Sequence, residues 1–149
     1  MYTLETELTV QAGLQETWDF LENPANLNSI TPPDLHFEII SEVPEVMFDG
    51  LIIEYRIKIP FLGRQKWIAE IKHIRDKHSF VDEQRLGPYR FWYHYHEITE
   101  TKHGVRVIDK VCYAVPFGPF GRLVHLVYIR KTLERIFAYR KIKLAEILR

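Results

Sequence analysis

The chain has a single cysteine, Cys112, so neither an intrachain disulfide nor a cysteine-based metal centre can form. Such scarcity suits a reducing compartment. Serine is nearly as rare: Ser29, Ser41 and Ser79 are the only three, and none lies in a G-x-S-x-G pattern. Cys112 is expected to face outward on a strand with no activating base nearby, so covalent catalysis is not expected. No Gly-rich phosphate loop is present; Phe117-Gly118-Pro119-Phe120-Gly121 contains a proline and lacks the Lys-Ser/Thr that such loops need. No run approaches the roughly 20 apolar residues of a transmembrane helix. The opening MYTLETELTV has neither the basic nor the apolar region of a signal peptide. The expected location is the cytoplasm.

Excess charge of one sign is also missing, since 20 Lys/Arg balance 20 Asp/Glu. The balance is uneven along the chain. Residues 122–149 hold eight basic and two acidic side chains (+6), leaving 12 basic and 18 acidic elsewhere (−6). A basic helix of this kind reads first as a solvated outer face, and second as a surface for an anionic partner. Nucleic acid is not expected as a partner.

Aromatics are plentiful, at 13% of the 149 residues. Each buried ring removes a large apolar area from water, so a sizeable core or a lined cavity is within reach. The length fits one domain over 1–149.

Hydrophobic periodicity orders the chain. Tyr2–Val10 alternates as a half-buried strand. Gln15–Leu21 and Pro24–Ile30 read as two short helices, the second opened by Pro24 and closed by Pro32-Pro33. Strands are then predicted at 35–42, 51–59, 64–75, 79–86, 90–100 and 105–115, joined by short turns such as Pro60-Phe61-Leu62-Gly63. Beyond the elbow Pro116–Gly121 the period becomes 3.6. Leu126, Ile129, Leu133, Ile136, Phe137, Leu144 and Leu148 form one stripe on a helix of about 25 residues. The expected class is α+β: a curved seven-stranded antiparallel sheet, two short helices after the first strand and one long C-terminal helix. A twisted sheet of this size curls, and a single helix cannot fill its concavity. The space left, lined by rings and a few polar groups, is the expected ligand site.

The residues with chemistry cluster between Asp82 and Tyr113. Trp92, His94 and His96 share one face of a strand. Asp82 and Gln84 share a face of the strand before it, and Asp109 and Tyr113 share a face of the strand after it. An inward Asp109 among valines is costly unless paired, and a neighbouring histidine is the natural partner. A proton-transfer set follows: His94 or His96 as base, Asp109 as orienter, Tyr113 or Tyr55 as donor. The same residues also suit a polar network that orients a bound molecule. His-x-His with Asp82 or Asp109 can ligate zinc, but the spacing is unspecific, and no metal or cofactor is expected.

The segments Pro24-Ala25-Asn26-Leu27, Asp82-x-Gln84-x-x-Gly87-Pro88-Tyr89, Trp92-x-His94-x-His96, Asp109-x-Val111-x-Tyr113-x-x-Pro116-Phe117-Gly118 and Ile136-Phe137-x-Tyr139-Arg140 together resemble the bacterial ligand-binding SRPBCC proteins. These are relatives of START lipid-transfer domains and polyketide cyclases. The resemblance implies the helix-grip fold and a hydrophobic cavity under the long helix. Members of this subgroup also occur fused to sugar-nucleotide-epimerase-like domains. Glu97 departs from the apolar residue the pattern favours.

Binding or carriage of a small hydrophobic or amphipathic molecule is therefore the expected function. The ligand-binding set is Tyr55, Trp67, Asp82, Gln84, Trp92, His94, His96, Asp109, Tyr113, Phe117 and Phe137. The alternatives are a cofactor-independent cyclase, hydratase or isomerase, and an interaction module acting through the basic helix.

Overall fold

A computed structural model describes residues 1–59 and 62–149. The predicted turn at Pro60-Phe61 lies outside the described residues. The elements run in the expected order: β1 (Tyr2–Val10), α1 (Leu14–Glu22), 3₁₀ turns at Pro24–Ile30 and Pro33–Leu35, and β2 (Glu38–Ile39). Then follow β3 (Ile52–Ile59), β4 (Gly63–Arg75), β5 (Ser79–Leu86), β6 (Phe91–Thr101) and β7 (Gly104–Ala114). One rod ends the chain, made of α2 (Gly118–Val124), a π-helical turn (His125–Ile129) and α3 (Arg130–Ile147).

The seven strands form one antiparallel sheet in the order β1-β7-β6-β5-β4-β3-β2. Strands β3 to β7 pair in sequence through short connections, β2 joins β3 across the longer segment 40–51, and β1 crosses to the far edge, beside β7. This is the α+β helix-grip architecture, with the helical rod laid along the concave face.

Three expectations need correction. The predicted strand 35–42 shrinks to Glu38–Ile39. Pro33 opens a 3₁₀ turn that runs to Leu35, and His36 then adopts a left-handed conformation, φ 45°. Neither conformation can pair in a sheet. The long helix starts earlier than predicted, since Gly118, Pro119 and Gly121 lie inside its first turns. Proline is tolerated there because first-turn amides have no helical partner. Gly121 is required by packing: a Cβ on it would collide with the Pro116 carbonyl. The π turn then shifts the apolar stripe by one residue. His125 is buried where α-helical spacing favoured Leu126, and Leu126 is 69% exposed.

Candidate functional site

The sheet register builds the site. His94 on β6 lies opposite Asp82 on β5, and His96 lies between Phe80 on β5 and Asp109 on β7. The inward face of β6 is the Trp92/His94/His96 face, with His94 and His96 only 7% and 5% exposed.

Between sheet and rod lies a cavity of about 170 Å³. Its sheet wall is Tyr55, Ile57, Trp67, Trp92, Asp82, His94 and His96. Its helix wall is Ile129, Leu133, Ile136, Phe137 and Arg140, and the 3₁₀ segments add Leu27, Ile30 and Leu35. A smaller lobe of about 70 Å³ adjoins it under α1 and shares Asp82, His96 and Arg140. The rings brace one another: Tyr55 stacks on Trp67 (5.7 Å), and Trp67 meets Trp92 edge-on (5.2 Å). The Trp67 indole N–H is buried with no hydrogen-bond partner among the described residues. Burial pushes the Tyr55 phenol well above its ordinary range.

The cavity floor is a charged network. Arg140 reaches in from α3 and holds Asp109 with two hydrogen bonds, Nε to Oδ2 (2.9 Å) and Nη2 to Oδ1 (3.1 Å). Asp109 Oδ1 also faces His94 Nε2 (2.9 Å) and His96 Nδ1 (3.0 Å). On their cavity side the two rings meet one carboxylate oxygen: Asp82 Oδ2 lies 2.7 Å from His96 Nε2 and 3.5 Å from His94 Nδ1. Each imidazole is thus held between two acids.

Burial raises the Asp109 carboxyl, but the Arg140 charge and the histidine hydrogen bonds outweigh it and hold it well below its usual range. Asp82 is likewise lowered; burial opposes this, and the charges of His94, His96 and Arg140 prevail. Burial pushes both imidazoles down. His96 rises above its ordinary value all the same, through hydrogen bonds to Asp109 and Asp82. His94 stays low, because the charge of its neighbour adds to burial.

Asp82, His94 and His96 bring donor atoms within 4.8 Å of one another, close enough to consider a metal ion. The two imidazoles lie 3.7 Å apart between ring centres and are tilted by 31°. His96 Nε2 and His94 Nδ1 both face Asp82 Oδ2, so among the described residues these three are the ones that could hold an ion.

Several predicted site residues lie elsewhere. Gln84 does not reach the cavity: its amide clamps both backbone groups of Tyr89 (2.7 and 3.2 Å), so its role is to fix the β5–β6 turn. Tyr113 is buried but four residues along β7 from Asp109, about 14 Å in an extended strand. Its hydroxyl meets His125 Nε2 (2.7 Å), and Tyr2 stacks on that imidazole at 3.5 Å, so Tyr113 anchors the π turn. Phe117 is 70% exposed and Phe120 68%, away from the cavity wall. Asp109 stands behind the histidines and touches the cavity only through them.

Arg140 was counted among the solvated basic residues, yet it is 6% exposed. Two signals pointed to it. It falls on the buried stripe Leu133, Phe137, Arg140, Leu144, Leu148, and an inward Asp109 demanded a cation.

Comparison with solved structures agrees with the fold. A START superfamily protein from Mycobacterium smegmatis matches with TM-score 0.69, 10% identity and full coverage of both chains. A second protein from that organism gives TM-score 0.70 at 17% identity, covering 98% of this chain and 90% of the other. A nucleoside-diphosphate sugar epimerase from Corynebacterium glutamicum gives TM-score 0.69 at 22% identity; 96% of this chain matches 28% of that one. No family model and no curated protein matches the chain. No helix among the described residues is long and apolar enough to cross a membrane.

Proposed function

We propose that the protein binds a small amphipathic molecule, an aromatic or alicyclic body carrying a hydroxyl or amide, in the cavity between the sheet and α3. One observation carries the reading: a ring-lined space of about 170 Å³ ends on a floor of hydrogen-bonded, mutually paired polar groups. A cavity of about 150 Å³ accepts benzene, so a ligand of one or two rings is the right scale. Asp82 is the contact point for a donor group. Its histidine contacts run through Oδ2, and 20% of its side chain remains exposed.

Calorimetry with 2-naphthol tests this. Saturable one-to-one binding is expected, and Ile136→Trp, which fills the cavity from the helix side, should abolish it. No heat of binding to folded wild-type protein contradicts the reading, as does binding that Ile136→Trp leaves intact.

A second reading, proton transfer, is favoured by the two imidazoles on the floor, which share the same two carboxylates and are shifted in opposite directions from an ordinary histidine. Such a pair suits general acid–base work. Deuterium exchange at the α-carbon of 2-tetralone, followed by NMR, should then exceed the buffer rate and fall in His94→Ala. Exchange at the buffer rate removes this reading.

A further inference from the structure

The cavity leaves one conspicuous surface unused. Phe117, Phe120, Leu123, Leu126 and Val127 stand 58–70% exposed on the elbow and the first turns of the rod. Scattered exposed apolar residues need no explanation, but five within eleven positions on one element form a patch. Phe117 is held at φ 68°, a left-handed conformation that glycine adopts far more readily. Among the described residues, neither of the two cavity lobes is lined by Phe117.

Charge surrounds the patch with one sign. From Lys110 to Leu133 the chain has no acidic residue, nor has it any from Leu86 to Trp92 or from Met1 to Leu4. Pairing of Tyr2 with Tyr113 and of Phe91 with Ala114 brings these segments to the same end of the sheet. Arg90, Arg122, Arg130 and Lys131 are exposed there. Arg130 meets Glu134 (3.3 Å), the first acid beyond the patch.

We propose that this end of the molecule docks on an anionic lipid surface, its apolar side chains entering the acyl boundary and Arg122, Arg130 and Lys131 meeting headgroup phosphates. The pattern of apolar anchors ringed by cations is the one that interfacial helices use. Nucleic acid would satisfy the cations but leave the rings in water. A second copy would satisfy the rings but set cations against cations. The inner side of the same turns, Ile129 and Leu133, walls the cavity, so docking sets the cavity beside the lipid. Docking itself does not depend on the cavity holding a ligand.

Cosedimentation with vesicles tests this, comparing phosphatidylcholine alone with a mixture containing phosphatidylglycerol. Binding to the mixed vesicles, weakened by added salt, is expected. Arg122→Gln/Lys131→Gln should weaken it about fivefold for each cation removed. Phe120→Ser/Leu123→Ser should reduce it to the level seen with phosphatidylcholine. Phe117→Gly should also weaken binding while melting no lower than wild type, because it relieves the left-handed phenylalanine. Circular dichroism checks that each variant is folded. The proposal is overturned by three results: absence of binding at low salt, binding unchanged in the apolar double variant, or a dimer in analytical ultracentrifugation that the same variant dissolves while vesicles never bind.

Discussion

Arg140 and Asp109 show what one residue does to this fold. Removing either leaves its partner buried and uncompensated. Asp109→Ala should therefore cost about 3–5 kcal/mol in chemical denaturation. Asp109→Leu combined with Arg140→Met removes both charges and should recover much of that loss. If the double variant is as unstable as the single one, the pair is not the source of the cost. The titration of the network has a defined sign. Asp82 and Asp109 have lowered folded values, so their contribution is present above the ordinary carboxylate range and lost as pH falls through the folded values. His96 is raised, so its contribution is full below the ordinary imidazole value and lost as pH rises through the folded one. His94 is lowered and adds to the loss on the acid side. Imidazole NMR should show His96 titrating above, and His94 below, an ordinary histidine. The reverse order would contradict the network of contacts described for the two rings.

At the scale of elements, the turns decide the outcome more often than the strands. Gly121 sits in a helix, where alanine is normally favoured by about 1 kcal/mol. Here a Cβ would strike the Pro116 carbonyl, so Gly121→Ala should lower the melting temperature instead. A stabilised Gly121→Ala variant would contradict the elbow as described. Strand and helix positions were largely legible in the sequence, because alternation over Tyr2–Val10 reflects burial directly. The failures have local causes. Pro33 and the left-handed His36 cut β2 short. The π turn at His125–Ile129 moved the stripe, and nothing in a 3.6-residue period foretells an extra residue. The site was legible in part. The paired Asp109 follows from strand periodicity, but both faces of the 90–100 strand are aromatic, so alternation left open which of them turns inward. Arg140 was missed because a basic residue on a basic helix was read as solvated. Tyr113 shares a face with Asp109, yet four residues of extended strand already set it about 14 Å away; Gln84 shares a face with Asp82, but its amide is taken by the Tyr89 backbone, which alternation does not foretell.

The whole molecule is a sheet that curls around a helix it cannot fully contact. Three tryptophans report on the space that remains. Trp67 and Trp92 line the cavity, whereas Trp18 is packed at 2% exposure against Phe80 under α1. The most direct measurement is a titration with 2-naphthol followed by ¹H–¹⁵N NMR of the three indole N–H signals. The Trp67 and Trp92 signals should move together and saturate, Trp67 most because its N–H has no partner, while Trp18 stays in place. Three unmoved indoles, or a shift at Trp18 alone, would contradict a ligand cavity between the sheet and the helix.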